Sequence, residues 1–184
     1  HMAGASFLGG TPVYATKEAD AYGHVGGGRA LIDGFAEAFG EAFDASIATV
    51  TNVIESDEFE LAGVHLRIVR NAEAFDLELP DLNVAYTHML GHDCHSIVAG
   101  AGHADALIAQ LEGYLDRGFD LVLTSHYTPE DLKDVQAKID YLRELKDVAA
   151  VCASAEEFKE AVRKRNPGYA GDNYLEMTSG FFFA

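Results

Sequence analysis

The amino-acid sequence predicts an α/β domain in which a layer of mixed β-sheet is flanked by helices. The first half carries β-branched and alternating runs separated by short turns, which is typical of strands joined as hairpins. In the second half, helical patterns alternate with a short apolar strand. Hairpins followed by this alternation indicate a mixed sheet covered by helices.

The first elements are predicted to be a strand, a loop and a helix. Residues 12–16 form a short β-prone run, and the turn Gly26-Gly27-Gly28 comes before a periodic stretch from Arg29 to Phe43. Four apolar residues of this stretch recur at helical spacing and are expected to face a core: Leu31, Phe35, Phe39 and Phe43.

Consecutive strands are predicted between Ser46 and Thr87. Ala62-Gly63 supplies one turn, and residues 80–83 have the composition of another. The predicted strands span residues 47–51, 59–61, 64–69, 76–79 and 84–87. Pairing of neighbouring strands would produce at least two hairpins.

The second half predicts three helices and one strand. The helices span residues 104–117, ended by Gly118, then 129–150 and 155–165, and the strand spans residues 119–124. The tail ends with Phe181, Phe182 and Phe183, which must pack on the domain, join an oligomer interface or cover a pocket.

Composition limits the classes of function. The chain has 184 residues, 48% of them hydrophobic, which predicts a single domain spanning 1–184, with His1-Met2 as a cloning remnant. A net charge of −17 would repel nucleic acid and anionic membrane surfaces, so neither is an expected partner. No run approaches the roughly 20 apolar residues that a membrane-spanning helix needs.

The two cysteines, Cys94 and Cys152, are too few for a disulfide scaffold and fit a reducing compartment, although one bridge remains an alternative. The compartment is therefore undetermined. The cytoplasm is favoured, and the periplasm is the alternative if an upstream signal has been removed.

A dense histidine cluster follows the predicted strand 84–87. His88, His92 and His95 lie beside Asp93 and Cys94, and these side chains offer the nitrogen, oxygen and sulfur ligands that zinc binds. Their spacing matches no closed structural zinc pattern. Histidines that only hydrogen-bond the backbone are the alternative interpretation.

His126 and Glu73 are further candidates. His126 follows strand 119–124, at the end of a strand where open α/β sheets place functional groups. A histidine that only caps the following helix is the alternative. Glu73 lies in a short loop between strands, where an isolated glutamate is most often only solvated.

Several segments resemble the latter part of the metallo-β-lactamase superfamily. Residues 4–16 resemble the helix end and strand that follow the family's His-x-His-x-Asp-His motif, which would lie before Ala3. Residues 61–69 and 79–86 resemble the second sheet. The segment Asn71-Ala72-Glu73-Ala74-Phe75 is similar to the alkylsulfatase-like branch, in which a Thr-Glu-Ala-Pro segment supplies a metal ligand.

The resemblance implies a partial αββα sandwich and a set of metal ligands. On this match Glu73 would be a ligand, and His88 or a near neighbour would take the position of the bridging ligand. Ser125-His126-Tyr127-Thr128-Pro129 would supply the family's last histidine. The sequence departs from the pattern because it lacks the main histidine motif and has Thr87-His88-Met89 where a bridging carboxylate is usual.

The leading hypothesis is that the chain is a domain of the metallo-β-lactamase type from a metal-dependent hydrolase. Its substrate would be an ester, lactone, amide or sulfate of unknown identity. The incomplete ligand set predicts one zinc ion or none, and low activity. The alternative is a non-catalytic module that binds metal or assembles. If the first strands of the fold are missing, exposed sheet edges predict a homo-oligomer.

Overall fold

The computed structural model describes residues 3–70, 74–88 and 91–183. The chain divides into two compact units, His1–Glu78 and Leu79–Ala184. The single domain expected over residues 1–184 stays a prediction. No helix in the described residues is long and apolar enough to cross a membrane.

The predicted mixed α/β architecture is confirmed. The main sheet has five strands in the order β3-β4-β5-β6-β7, and β3, β4 and β5 are antiparallel whereas β6 and β7 are parallel. These strands are β3 (Glu58–Leu61), β4 (Val64–Arg70), β5 (Phe75–Leu79), β6 (Val84–Thr87) and β7 (Leu121–Thr124). All five were expected from sequence to within three residues at either end.

The first unit begins with a short strand and two helices. They are β1 (Tyr14–Ala15), α1 (Lys17–Val25) and α2 (Gly27–Phe39), and β1 pairs in parallel with β2 (Asn52–Val53). The loop expected before Gly26 is wrong, because Thr16 caps α1 by accepting a hydrogen bond from the Ala19 amide at 3.2 Å. A Cβ at Gly28 would lie 2.9 Å from both the ring and the carbonyl oxygen of Tyr22, so this position at the start of α2 needs glycine.

The strand expected over residues 47–51 is also wrong. Ile47 makes an isolated bridge with Ala3, and the ladder begins only at Asn52. The Thr51 hydroxyl instead accepts from the Val13 amide at 2.9 Å, which ties this segment to the start of β1. The β3–β4 hairpin forms as expected, with Ala62 and Gly63 at φ values of 52° and 79°.

The second unit contains a continuous apolar core. Its helices are α3 (Ala101–Arg117), α4 (Leu132–Ala149), α5 (Ala155–Arg165) and α6 (Asp172–Phe182). Gly118, at a φ of 67°, ends α3 as expected. The largest core side chains that are less than 2% exposed are Tyr114, Phe158, Ile139, Leu142, Leu145 and Leu175.

The aromatic tail packs on this core. Phe182 stacks on Phe158 with ring centroids 5.6 Å apart, and the Phe183 ring lies 5.7 Å from the same residue. Phe181, in contrast, is 51% exposed. Of the three roles open for this segment, packing on the domain is thus observed for two of the three rings. Cys94 and Cys152 are both free thiols.

Candidate metal centre

The parallel pairing of β6 and β7 brings two distant histidines together. Thr87 pairs with Thr124 in this register, so the residues that follow each strand leave the same edge of the sheet. The His88 carbonyl accepts a hydrogen bond from the Thr124 hydroxyl at 3.0 Å and from the Ser125 amide at 3.2 Å. These bonds fix the backbone of His88 beside the loop that carries His126.

The imidazoles of His88 and His126 meet edge to face. Their ring centroids are 5.1 Å apart, with an angle of 76° between the ring planes. Two imidazoles bound to one tetrahedral zinc ion through bonds of about 2.0–2.1 Å would have centroids about 5 Å apart. The separation therefore suits two ligands of one ion.

Neighbouring hydroxyl groups hold the His88 ring. Its Nδ1 lies 3.3 Å from the Ser125 Oγ, which is itself hydrogen-bonded to the Tyr86 hydroxyl. A hydrogen bond from the ring nitrogen that does not face the metal is typical of metal-binding histidines. Desolvation by the surrounding protein, helped by the nearby His126, lowers the pKa of His88. The neutral imidazole, which is the form that binds metal, is thereby favoured.

A second cluster joins His92 to two carboxylates that sequence analysis missed. His92 Nδ1 lies 2.9 Å from Glu130 Oε1 and 3.3 Å from Asp134 Oδ1. The side chain of Glu130 is only 1% exposed, whereas His92 and Asp134 are 39% and 29% exposed. The hydrogen bond to Glu130 is the main cause that raises the pKa of His92, and Asp134 and Asp93 contribute.

Backbone amides hold the buried carboxylate in place. Glu130 Oε2 accepts from the Gly91 amide at 3.0 Å, and Oε1 accepts from the His92 amide at 2.8 Å. The Glu130 backbone exchanges two hydrogen bonds of 2.9 Å with Val122 of β7. The carboxylate therefore connects the loop after β6 to the start of α4.

The neighbouring Tyr127 packs against this cluster. Its ring lies edge to face on His92, with centroids 5.9 Å apart, and its hydroxyl donates a hydrogen bond to Asp93. That hydrogen bond raises the pKa of Tyr127 to about 12. The phenol therefore stays protonated at neutral pH.

His95 occupies a different environment from the other histidines. It is 2% exposed, its Nδ1 lies 2.8 Å from the Tyr141 hydroxyl, and its ring packs against the rings of both Tyr141 and Tyr169. Burial lowers the pKa of His95. These contacts are those of a core histidine, and its expected role as a ligand stays a prediction. Glu73 lies outside the described residues, so its predicted role also stays a prediction.

One sequence signal pointed to the missed carboxylates. Glu130 and Asp134 are four residues apart at the start of a predicted helix, a spacing that places two side chains on the same face. They also follow His126 directly along the chain. Their convergence with His92 depends on the pairing of β6 with β7, which sequence periodicity does not encode.

Comparison with known proteins shows similarity in structure alone. No protein-family model and no curated protein sequence matches the chain. The stereoselective inverting sec-alkylsulfatase of a Pseudomonas species matches with a TM-score of 0.56 and 16% identity, over 75% of this chain and 27% of that one. A double mutant of a sec-alkylsulfatase matches with a TM-score of 0.62 and 16% identity, over 99% of this chain and 38% of that one.

A metallo-β-lactamase family protein from Thermus thermophilus is similar as well. The TM-score is 0.59 with 16% identity, over 89% of this chain and 64% of that one. The chain thus spans between about a quarter and two thirds of the length of these three proteins. The resemblance drawn from sequence is confirmed at the level of the fold. This chain has part of the metallo-β-lactamase fold.

Proposed function

We propose that this chain belongs to a metal-dependent hydrolase, and that His88 and His126 are ligands of its metal. The substrate would be an ester, lactone, amide or sulfate. One similar structure is a sec-alkylsulfatase, which makes sulfate esters the first class to test. Because the chain carries only part of the expected ligand set, we expect low activity from these residues alone.

One observation carries the proposal. Two imidazoles that are 38 residues apart in sequence meet at the carboxyl ends of neighbouring parallel strands, with centroids 5.1 Å apart. This edge is where α/β sheets place functional groups, and the sequence alone indicates both residues as candidate ligands. The Ser125 hydroxyl beside His88 Nδ1 supports the same interpretation.

The donor chemistry fits zinc. Neutral imidazoles suit a borderline-soft ion, and the lowered pKa of His88 favours the neutral form. When bound, zinc would supply Lewis-acid polarisation of the scissile bond. The residues of this chain would orient the ligands: Ser125 would hold the His88 ring, and the bonds from Thr124 and Ser125 would hold its backbone.

The test is the zinc content of the chain and of His126→Ala after dialysis against a weak chelator. We expect the substitution to remove about one zinc per chain, because an open site with few ligands depends on each of them. His24→Ala is the matched control, since His24 is an exposed histidine whose Nδ1 lies 3.0 Å from the carbonyl oxygen and 3.2 Å from Oδ1 of Asp20, in the same helix. Equal zinc content in His126→Ala and the unchanged chain would contradict the proposal.

Activity measurements then separate the hydrolase from its alternative. Turnover of an alkyl sulfate, an aryl ester or a lactone that disappears in His126→Ala and persists in His24→Ala would support the hydrolase. Zinc that is lost on His126→Ala, without turnover of any substrate class, would favour the non-catalytic metal-binding module.

The homo-oligomer stays a prediction, which light scattering of the purified chain would test.

A further inference from the structure

The His92 cluster has the geometry of an ion site separate from the histidine pair. One ligand atom each from His92, Glu130 and Asp134 lies within 4.8 Å of the other two. Ligand atoms bonded to one ion at about 2.1 Å, at octahedral or tetrahedral angles, lie roughly 3.0–3.4 Å apart. The distances of 2.9 Å and 3.3 Å from His92 Nδ1 to the two carboxylates are close to this range.

The three ligand groups are positioned by separate parts of the backbone. Glu130 is held by the amides of Gly91 and His92, which orient both of its oxygens. Asp134 is the third helical residue of α4, and its Oδ2 accepts from the Asp131 amide at 3.0 Å in a capping box. Its other oxygen, Oδ1, is the one that faces His92. Backbone amides and the helix cap thus hold both carboxylates beside the His92 imidazole.

Charge at the cluster also favours a cation. Two carboxylates converge on one imidazole, and Asp93 adds a third negative charge to the field at His92. Lys138 is a cationic side chain that interacts with Glu130 and Asp93 and offsets part of this negative charge. His92 and Asp134 are partly exposed, which leaves the cluster accessible to an ion from solvent.

We propose that His92, Glu130 and Asp134 form a second metal site, which binds a divalent ion such as zinc. This site does not use His88 or His126. One imidazole nitrogen with two carboxylate oxygens suits zinc, manganese or iron(II). Magnesium and calcium prefer sites made entirely of oxygen. An ion there would link the loop after β6 to the first turn of α4, two segments that flank the loop carrying His126.

The experiment uses a chain in which the first site has been removed. We would titrate zinc into the double variant His88→Ala/His126→Ala by calorimetry, with magnesium as the comparison ion. We expect about one equivalent of zinc to bind and magnesium to bind far more weakly. Adding Asp134→Asn should lower the zinc affinity by at least roughly 10- to 100-fold, the scale observed when groups that only support metal ligands are changed.

Asp134→Asn is chosen because asparagine keeps an oxygen acceptor for the Asp131 amide, so the start of α4 is preserved. Asp140→Asn is the matched control, since Asp140 is an exposed carboxylate on the same helix that bonds Gln136 and Arg143. Zinc should raise the melting temperature of the double variant and of its Asp140→Asn derivative. It should raise that of the Asp134→Asn derivative much less.

The two metal proposals can fail separately. Absence of zinc binding in His88→Ala/His126→Ala would show that the His92 cluster holds only a proton, and would overturn this inference while leaving the first site untouched. Equal loss of zinc affinity in the Asp134→Asn and Asp140→Asn derivatives would overturn it as well. If His126→Ala leaves the zinc content unchanged and Asp134→Asn reduces it, the inference stands and the proposed function fails.

Discussion

The two units of the chain use similar apolar patterns with different results. In the second unit, helices α3 to α6 close over a common core in which Phe158 and Leu145 are fully buried. In the first unit, the apolar stripe of α2 stays largely at the surface, with Leu31 59% and Phe39 61% exposed. Helical periodicity thus predicts a face that seeks a partner, but it does not predict whether this chain supplies that partner.

This difference bears on where function lies. Both candidate metal clusters belong to the second unit, where the strand pairing and the buried Glu130 fix the loops that carry them. A site needs ligands held in place by well-packed supports, and the core of the second unit provides such supports. The first unit contains the antiparallel β3–β4 hairpin and most of strand β5, and neither proposed metal cluster lies in it.

The largest expected effect comes from truncating the same side chain in each unit. Phe158→Ala should lower the free energy of unfolding by about 3–5 kcal/mol, because it opens a cavity in a closed core. Phe39→Ala should change it by no more than about 0.5–1 kcal/mol, because the ring is mostly in water and its neighbour Phe35 is 6.0 Å away. Urea unfolding of both variants provides the measurement.

The pair of variants can also break the comparison. If Phe39→Ala lowers the free energy of unfolding as much as Phe158→Ala does, the apolar face of α2 is covered in solution. The proposed difference in burial between the two units would then be wrong. Light scattering of Phe39→Ala would then show whether a second copy provides the cover, as the predicted homo-oligomer requires.

A buried lysine gives the second-largest expected effect. Lys138 is 3% exposed, and its Nζ donates to the Cys94 carbonyl at 2.5 Å and to Ser96 Oγ at 3.0 Å. Burial lowers the pKa of Lys138 from 10.5 to about 8. Between these pH values the unfolded chain keeps a proton that the folded chain has lost, so the free energy of unfolding rises with pH.

The measurement is the difference in unfolding free energy between the unchanged chain and Lys138→Met, followed from pH 7.5 to 10.5. A chelator is present throughout, so that bound metal does not contribute. The unchanged chain should gain on the order of 3 kcal/mol relative to the variant across this window. Both chains should also carry Cys94→Ala, because the pKa of Cys94 is raised by burial and depends in addition on the charge of Lys138. Relative to Lys133→Met, an exposed change on the same helix, the unchanged chain should show no such gain. An equal gain relative to both variants would refute the assignment to Lys138.

The sequence predicted elements whose signals are local. The β3–β4 hairpin follows from alternation around Ala62-Gly63, and α3 ends where Gly118 adopts a positive φ. The placement of His126 at the end of β7 was predictable for the same reason, because strand ends can be located from the apolar run. Each of these features is fixed by neighbours within a few residues.

Features that depend on long-range packing were not predictable. His92 and His95 are three residues apart, yet His92 is partly exposed and contacts two carboxylates, whereas His95 is buried beside Tyr141. The participation of Glu130 required the loop after β6 to lie over the start of α4. Helix α1 was missed for a different reason, since only Gly23 of its residues is buried and its apolar pattern is weak.

The smallest expected effect compares helix caps in the two units. Ser154 accepts from the Glu157 amide at the start of α5, and Thr16 accepts from the Ala19 amide at the start of α1. Ser154→Ala should lower the global free energy of unfolding by about 1 kcal/mol, because α5 unfolds with the core. Thr16→Ala should change the global value by less than about 0.5 kcal/mol and instead speed amide exchange within α1, because a helix with so little burial opens locally. Hydrogen exchange with urea unfolding measures both, and equal global losses would show that the two units unfold together, which would remove the energetic contrast between them.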